Sequence, residues 1–290
     1  MKIGWNGTIK RQEEAVISVY DHGFLYGMGL FETFRTYEGR PYLLERHLER
    51  LSAGCRSLGI HYQPDGAAIQ SWLRELMDAN EIEEAYVRLT VTAGEGILGL
   101  PSGDYEAPNA LLLVKPLSVP DPALYTEGRQ LALLATRRNT PEGEIRLKSL
   151  HYMNNIVAKR ELTAIGALPG AEGLMLTREG WLAEGIVSNL FFMKEGRLFT
   201  PSIATGILPG ITRQRVIELA ASVGIGTEEG YYTWDELALA EEAWLTTSVQ
   251  ELVPVTSLRD AAGQVRSVGR ASAGPLATRL LALYREETRR

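Results

Sequence analysis

Lys148 stands in Arg146-Leu147-Lys148-Ser149, between two leucines and just ahead of a helical stretch. A lysine amine attacks a carbonyl only when desolvation or a neighbouring positive charge lowers its pKa, and Arg146 is one source of such charge. The bland alternative is a side chain that snorkels to solvent. Glu184, in Ala183-Glu184-Gly185-Ile186-Val187-Ser188-Asn189, lies between strand-like Trp181-Leu182 and the apolar run Leu190-Phe191-Phe192. It is either an exposed turn carboxylate or a carboxylate paired to a pyridinium nitrogen, a charge pair that keeps a cofactor ring protonated and electron-withdrawing. A third group, Leu208-Pro209-Gly210-Ile211-Thr212-Arg213, runs into an amphipathic helix. Its first backbone N–H groups and the Thr212 hydroxyl make a phosphate cradle, although the same residues also read as a plain helix start. Thr246-Thr247-Ser248 ends a strand with more hydroxyl donors, and Arg50, on the helix carrying His47, is a counter-charge for a phosphate dianion.

The elements that must position these residues follow from periodicity and turn chemistry. Asn6-Gly7 between Ile3/Trp5 and Ile9 predicts a two-residue hairpin. Strands are expected over Ala15–Tyr20, Phe31–Tyr37, Ala85–Thr92 and Ala110–Lys115, with helices over Leu43–Leu58 and Ala67–Ala79. Pro116, Pro120 and Pro122 mark the linker. Beyond it come strands at Gln130–Thr136, Gly173–Thr177, Leu190–Met193, Ala243–Thr247 and Val253–Leu258, and helices at Met153–Ile165, Thr212–Val223 and Ala271–Glu287. The expected organisation is a smaller α+β domain at 1–116, a linker at 117–123, and a larger α/β domain at 124–290 carrying Lys148.

A chain of 290 residues suits two domains of roughly 110 to 170 residues each. The net charge of −6 excludes the basic stripe of a nucleic-acid binder. Cys55, the single cysteine, excludes a disulfide framework and a thiolate metal site, and its place among Leu51 and Leu58 predicts a buried apolar side chain. No apolar run is long enough for a signal peptide or a membrane span, so a cytoplasmic protein without membrane or nucleic-acid partners is expected, and no metal.

Taken in order, six segments resemble the class IV (branched-chain and D-amino-acid type) aminotransferase family, whose cofactor is pyridoxal 5′-phosphate (PLP). They are Asp21-His22-Gly23-Phe24-Leu25-Tyr26-Gly27-Met28-Gly29-Leu30-Phe31-Glu32; His47-Leu48-Glu49-Arg50-Leu51; Lys148 with Asn154-Asn155; Glu184-Gly185 with Ser188-Asn189; Gly210-Ile211-Thr212-Arg213; and Ser248 ahead of Glu251 and Pro254-Val255. The resemblance implies a two-domain α+β fold of the D-amino-acid aminotransferase type, with the cofactor in the interdomain cleft of a homodimer whose partner completes the site. It implies that Lys148 carries PLP as a Schiff base and that Glu184 pairs with the pyridine nitrogen. It assigns Arg50, Ile211 (through its N–H), Thr212 and Ser248 to the phosphate and Leu208 to the ring face, with Ser188 and Asn189 beside Glu184.

Within the family, the stretch from Arg137-Arg138-Asn139-Thr140-Pro141 through Arg146-Leu147-Lys148-Ser149-Leu150-His151-Tyr152-Met153-Asn154-Asn155 is similar to the aminodeoxychorismate lyase branch. D-amino-acid transaminases place a tyrosine where this chain has Phe31 and an arginine where it has Ala93; both hold the substrate α-carboxylate there. Arg88, on one strand face with Tyr86 and Thr90, is the substitute candidate for gripping a small-molecule carboxylate, or it points to solvent. The implied chemistry has Lys148 as the base that removes the proton from the carbon bearing the substrate nitrogen. Thr33 is the candidate proton relay, and His47 and His151 are supporting residues. A lyase releasing 4-aminobenzoate and pyruvate is the first expectation, a class IV transaminase the second, and a non-catalytic PLP-binding protein the third.

Overall fold

The computed structural model describes residues 1–118 and 120–289. It resolves into two compact units, one of Met1–Ser118 with Leu147–His151, the other of residues 120–146 and Tyr152–Thr288. Position 119 of the expected linker and position 290 of the expected second domain lie outside the described residues.

The first unit holds strands β1 (Lys2–Trp5), β2 (Thr8–Arg11), β3 (Gly29–Tyr37), β4 (Arg40–Pro41), β5 (Ala85–Thr92) and β6 (Asn109–Pro116), with helices α1 (His22–Tyr26), α2 (Leu44–Ser57) and α3 (Gly66–Ala79). The strands pair in the order β2-β1-β6-β5-β3-β4, antiparallel throughout. Asn6 and Gly7 both take positive φ, as the expected hairpin requires. In the register of β3 with β5, Leu30 faces Val91, Glu32 faces Leu89 and Phe34 faces Val87. This face packs on the leucine stripes of α2 and α3 to form one apolar core, which includes Cys55. The other face of β3 and β5 carries Phe31, Thr33, Arg88 and Thr90.

Two expectations are corrected in this unit. Ala15–Tyr20 is not a strand: it forms no strand ladder, its one long-range main-chain bond being Gly96 N to Tyr20 O at 3.1 Å, and Val16, Val19 and Tyr20 are exposed despite their β-branched and aromatic character. Lys148 belongs to the first unit, not to the larger second domain. Phe31 N donates to Lys148 O at 2.9 Å and Leu150 N to Gly29 O at 3.0 Å, so residues 148–150 lie along the start of β3 as an added antiparallel segment.

The second unit holds α4 (Ala123–Thr126), β7 (Arg129–Leu133), α5 (Met153–Ala164), β8 (Glu172–Leu176), β9 (Leu182–Gly185), β10 (Asn189–Lys194), β11 (Arg197–Pro201), α6 (Ile211–Ser222), β12 (Thr227–Gly230), α7 (Trp234–Leu237), β13 (Glu242–Thr247), β14 (Glu251–Arg259), β15 (Val265–Ser267) and α8 (Pro275–Glu287). Its strand order is β12-β11-β10-β13-β14-β7-β8-β9, with β15 on β14. β9 ends this order, yet the three residues 186–188 join it to β10, so the sheet curls. β7 stops at Leu133 rather than Thr136: Leu134 N still donates to Leu174 O at 3.0 Å, but the two amides that follow, of Ala135 and Thr136, turn to the Glu161 carboxylate on α5.

α8 begins at Pro275, four residues later than the pattern predicts, since proline suits the first helical turn but not the interior. Its cap residue Gly274 supplies no side chain; instead the Glu242 carboxylate accepts from Leu276 N at 3.2 Å and Ala277 N at 3.1 Å. A carboxylate on orphan N-terminal amides is worth about 1–2 kcal/mol. Glu242→Ala is expected to lower the melting temperature by about 2–4 °C, read by circular dichroism against wild type.

Candidate active site

In the second unit the buried side chain of Glu184, on β9, is the hub. Its Oε1 accepts from Arg138 Nε at 2.7 Å, and its Oε2 accepts from Leu208 N at 3.0 Å and Asn189 Nδ2 at 3.3 Å. Arg146 Nε lies 3.9 Å from the same carboxylate. A buried carboxylate so surrounded has hydrogen-bond donors on both oxygens. Burial and the like charge of Arg138 push Arg146 down to about 10. Asn189 also donates to Leu208 O at 3.0 Å, tying the turn after β9 to the segment that enters α6. Gly210, the cap of α6, has no room for a side chain, because a Cβ there would run into Asn189 Oδ1. Thr212 Oγ1 donates to Ser248 Oγ at 3.3 Å, bringing the first turn of α6 to the end of β13.

The expected residues Glu184, Ser188, Asn189, Leu208, Ile211, Thr212 and Ser248 therefore form one connected group. α6 has no side-chain cap on its first amides. The Ser188 and Thr246 hydroxyls are buried without a hydrogen-bond partner. These free donors would suit a phosphate, which is rich in acceptors, and the fixed Glu184 carboxylate would suit a protonated ring nitrogen, so the residues present fit PLP. Arg138 is the member that sequence reasoning left without a role. Its partner lies 46 positions away, and only a carboxylate known to be buried would have called for it.

In the first unit the hub is Phe31. Lys148 Nζ lies 4.5 Å from the ring centroid and the Arg88 guanidinium carbon 3.6 Å from it. Arg88 also donates from Nε to Thr90 Oγ1 at 3.2 Å, so it lies along the sheet rather than reaching straight out. Thr33 sits directly across from Arg88 in the strand register. Lysine amine, arginine and hydroxyl thus share one sheet face around an aromatic ring, and stacking on the ring fixes the Arg88 guanidinium.

The opposite face of β3 carries Glu32, to which sequence reasoning gave no role. Its carboxylate accepts from Arg50 Nε at 2.8 Å, Arg50 Nη2 at 2.6 Å and His47 Nδ1 at 2.6 Å. Burial alone would raise the Glu32 carboxyl, but the charge and hydrogen bonds of Arg50 and the bond from His47 outweigh it and bring it down to about 2. Burial lowers His47, so its ring is neutral at pH 7 and donates through Nδ1.

The Asp21-His22-Gly23 motif shapes the chain instead. Asp21 caps α1 through Gly23 N at 2.7 Å and accepts from Thr92 and Asn109, while His22 bonds Tyr105 and Ile97 O. Gly27, at φ 69°, closes α1 where a Cβ would strike the His151 ring, whose Nε2 lies 2.9 Å from Tyr26 O.

The family description "Amino-transferase class IV" matches residues 29–258, well over half of the chain. The chain belongs to the class IV aminotransferases. It is 44% identical over 257 residues to the aminodeoxychorismate lyase of Bacillus subtilis (strain 168), covering 88% of this chain and 86% of that one. The crystal structure of 4-amino-4-deoxychorismate lyase from Pseudomonas aeruginosa superposes with a TM-score of 0.83 at 30% identity, covering 98% of both chains. The T.th. branched-chain amino acid aminotransferase with pyridoxamine 5′-phosphate gives a TM-score of 0.86 at 27% identity, over 99% of this chain and 93% of that one.

The shift of Glu32 sets a pH dependence. A carboxyl at about 2 in the folded chain and at an ordinary 4.5 when unfolded contributes stability that is fully present above pH 4.5 and lost as the pH falls through 2. Denaturant midpoints measured from pH 7 to pH 2 should therefore drop on the acid side in wild type. Glu32→Gln should be less stable at pH 7 and should flatten the part of that drop lying below pH 4.5.

Proposed function

We propose that this chain is a PLP-dependent lyase that converts 4-amino-4-deoxychorismate to 4-aminobenzoate and pyruvate. The observation that carries the reading is the cluster on one face of β3 and β5. Lys148 and Arg88 stack against Phe31, and Thr33 lies across from Arg88. It offers a base, a carboxylate grip and a hydroxyl to a substrate that bears two carboxylates and must lose both a proton and an oxygen leaving group. The 44% identity to a Bacillus subtilis aminodeoxychorismate lyase supports the same reading.

When bound, PLP supplies a covalent link to the substrate nitrogen and a ring that accepts the electron pair left by deprotonation. The residues of the chain do the rest. Arg50, Ile211 N, Thr212 and Ser248 hold the phosphate, and Leu208 covers one ring face beside Ser188 and Asn189. Glu184, fixed by Arg138, Leu208 N and Asn189, retains a proton at the pyridine nitrogen. Lys148 would hold the cofactor until substrate displaces it; its freed amine would take the proton from the carbon bearing the substrate nitrogen, and its return to the cofactor would set the product amine free. The electron pair forms the new ring double bond as the carbon–oxygen bond to the enolpyruvyl group breaks. Thr33 relays a proton to that leaving group, which becomes pyruvate, and the ring becomes aromatic. Arg88 grips a substrate carboxylate while Phe31 holds its guanidinium in place.

The reading includes a homodimer. Val16, Val19, Tyr20, Phe24, Ile97, Leu98 and Leu100 expose apolar surface on the first unit, and main-chain bonds join the segments that carry them. Met153, Ile156 and Val157 expose another stripe on α5. Exposed apolar surface on this scale suits a partner copy. A cytoplasmic location belongs to the same reading; among the described residues no helix is long and apolar enough to cross a membrane.

Purified protein incubated with 4-amino-4-deoxychorismate and no 2-oxo acid should release pyruvate and 4-aminobenzoate one for one. Lys148→Ala should slow this by about 10²–10⁴-fold. Arg88→Ala should raise KM by about 10- to 100-fold through the lost charged hydrogen bonds. Absence of pyruvate, with amino-group transfer from D-alanine or L-leucine to a 2-oxo acid, would make the protein a transaminase and overturn the lyase reading.

A further inference from the structure

Glu32 is a carboxylate in the wrong place for a core. Its neighbours on the same face of β3 are Leu30 and Phe34, its cross-strand partner is Leu89, and its side chain is 1% exposed. Removing a carboxylate from water costs several kcal/mol, and an apolar residue of similar volume would pack there as well or better. The charge is kept only because α2 meets it with two groups. His47 and Arg50 are three residues apart, so they project from one side of the helix.

The bonding pattern shows what the carboxylate fixes. Nε and Nη2 of Arg50 both donate to it, one to each oxygen, and this two-point fork sets the plane and the depth of the guanidinium. His47 donates to the oxygen that already accepts from Nη2, at 2.6 Å, and so locks the carboxylate in turn. His47 is itself held within the core, its ring 5.3 Å from that of Phe34. Arg50, at the outer end of this chain of bonds, keeps 16% of its side chain exposed, whereas Glu32 and His47 keep 1% each. The guanidinium is therefore anchored from the inside and reaches the surface in one orientation.

We infer that Glu32, oriented by His47, is a positioning residue that presets Arg50 for the cofactor phosphate, so that the buried carboxylate serves phosphate recognition without touching the phosphate. The inference rests on the proposed assignment of Arg50 to that phosphate. A long flexible arginine loses rotamer freedom when it captures an anion, and an arginine already fixed in the free protein has less left to lose. Because the carboxylate neutralises the guanidinium, the gain comes from geometry rather than from added positive charge.

The test compares the affinity of cofactor-free protein for PLP and for pyridoxal, which lacks the phosphate, by absorbance titration. Wild type should strongly prefer PLP, and Arg50→Ala should lose much of that preference. Glu32→Gln keeps the side-chain size but removes the charge. It should weaken PLP binding about tenfold or more while leaving pyridoxal binding within about twofold. The ³¹P resonance of bound PLP should move in the same variant. Should Glu32→Gln fail to fold, His47→Gln, which leaves the fork between Glu32 and Arg50 in place, is expected to reduce the preference in the same direction by a smaller factor. Equal weakening of both ligands would mean that Glu32 serves folding alone and would overturn the inference, as would an unchanged preference. A wild type that binds PLP and pyridoxal alike, or an Arg50→Ala variant that keeps the preference, would instead overturn the assignment of Arg50 to the phosphate, and the inference with it.

Discussion

A carboxylate inside a protein has to be answered by donors on every side, and the second unit is arranged around that requirement at Glu184. One oxygen draws in Arg138 from the segment after β7; the other draws in the amide of Leu208 and the side chain of Asn189. Those bonds fix where the chain lies between β11 and α6, and hence where the first turn of α6 points. The cap glycine, the Thr212–Ser248 bond and the unpartnered hydroxyls of Ser188 and Thr246 follow from that placement. Losing Arg138 would take away the nearest cation of a buried carboxylate and leave Arg146, at 3.9 Å, as its charged neighbour.

β3 does comparable work in the first unit with one alternation of side chains. Leu30, Glu32 and Phe34 face the helices; Phe31 and Thr33 face the other way. A single strand thus holds the buried anchor of Arg50 on one side and the aromatic seat of Lys148 and Arg88 on the other. A slip of one residue in its register would exchange these roles and bury the wrong set.

Much of this was legible in the sequence because it depends on local chemistry. The Asn6-Gly7 hairpin, the leucine periods of α2 and α3, and the strands β5 and β13 follow from turn residues and apolar spacing. Their ends shifted by a residue or so where a cap decided the boundary. The segment Ala15–Tyr20 misled because β-branched residues score as strand even when they have no strand to pair with. Glu32 was visible in principle, since alternation from Leu30 to Phe34 puts it on the core face. Its partners on α2, however, lie 15 and 18 residues further on, and nothing local demands them. Arg138 is the same case at longer range. The grouping of Lys148 with the first unit was illegible, because main-chain hydrogen bonds to β3 leave no trace in side-chain type.

That grouping has a consequence for how the polypeptide is made. The chain supplies residues 1–118 to the first unit, departs, and returns for Leu147–His151 before completing the second. On a ribosome, the first unit stays unfinished until His151 has emerged, with Phe31 N and Gly29 O awaiting their partners while much of the intervening segment is already out. A fragment ending at residue 118 therefore lacks the segment that pairs with the start of β3. A peptide spanning 147–151 is the natural complement to it, and Lys148 arrives with the last segment of the unit that holds it.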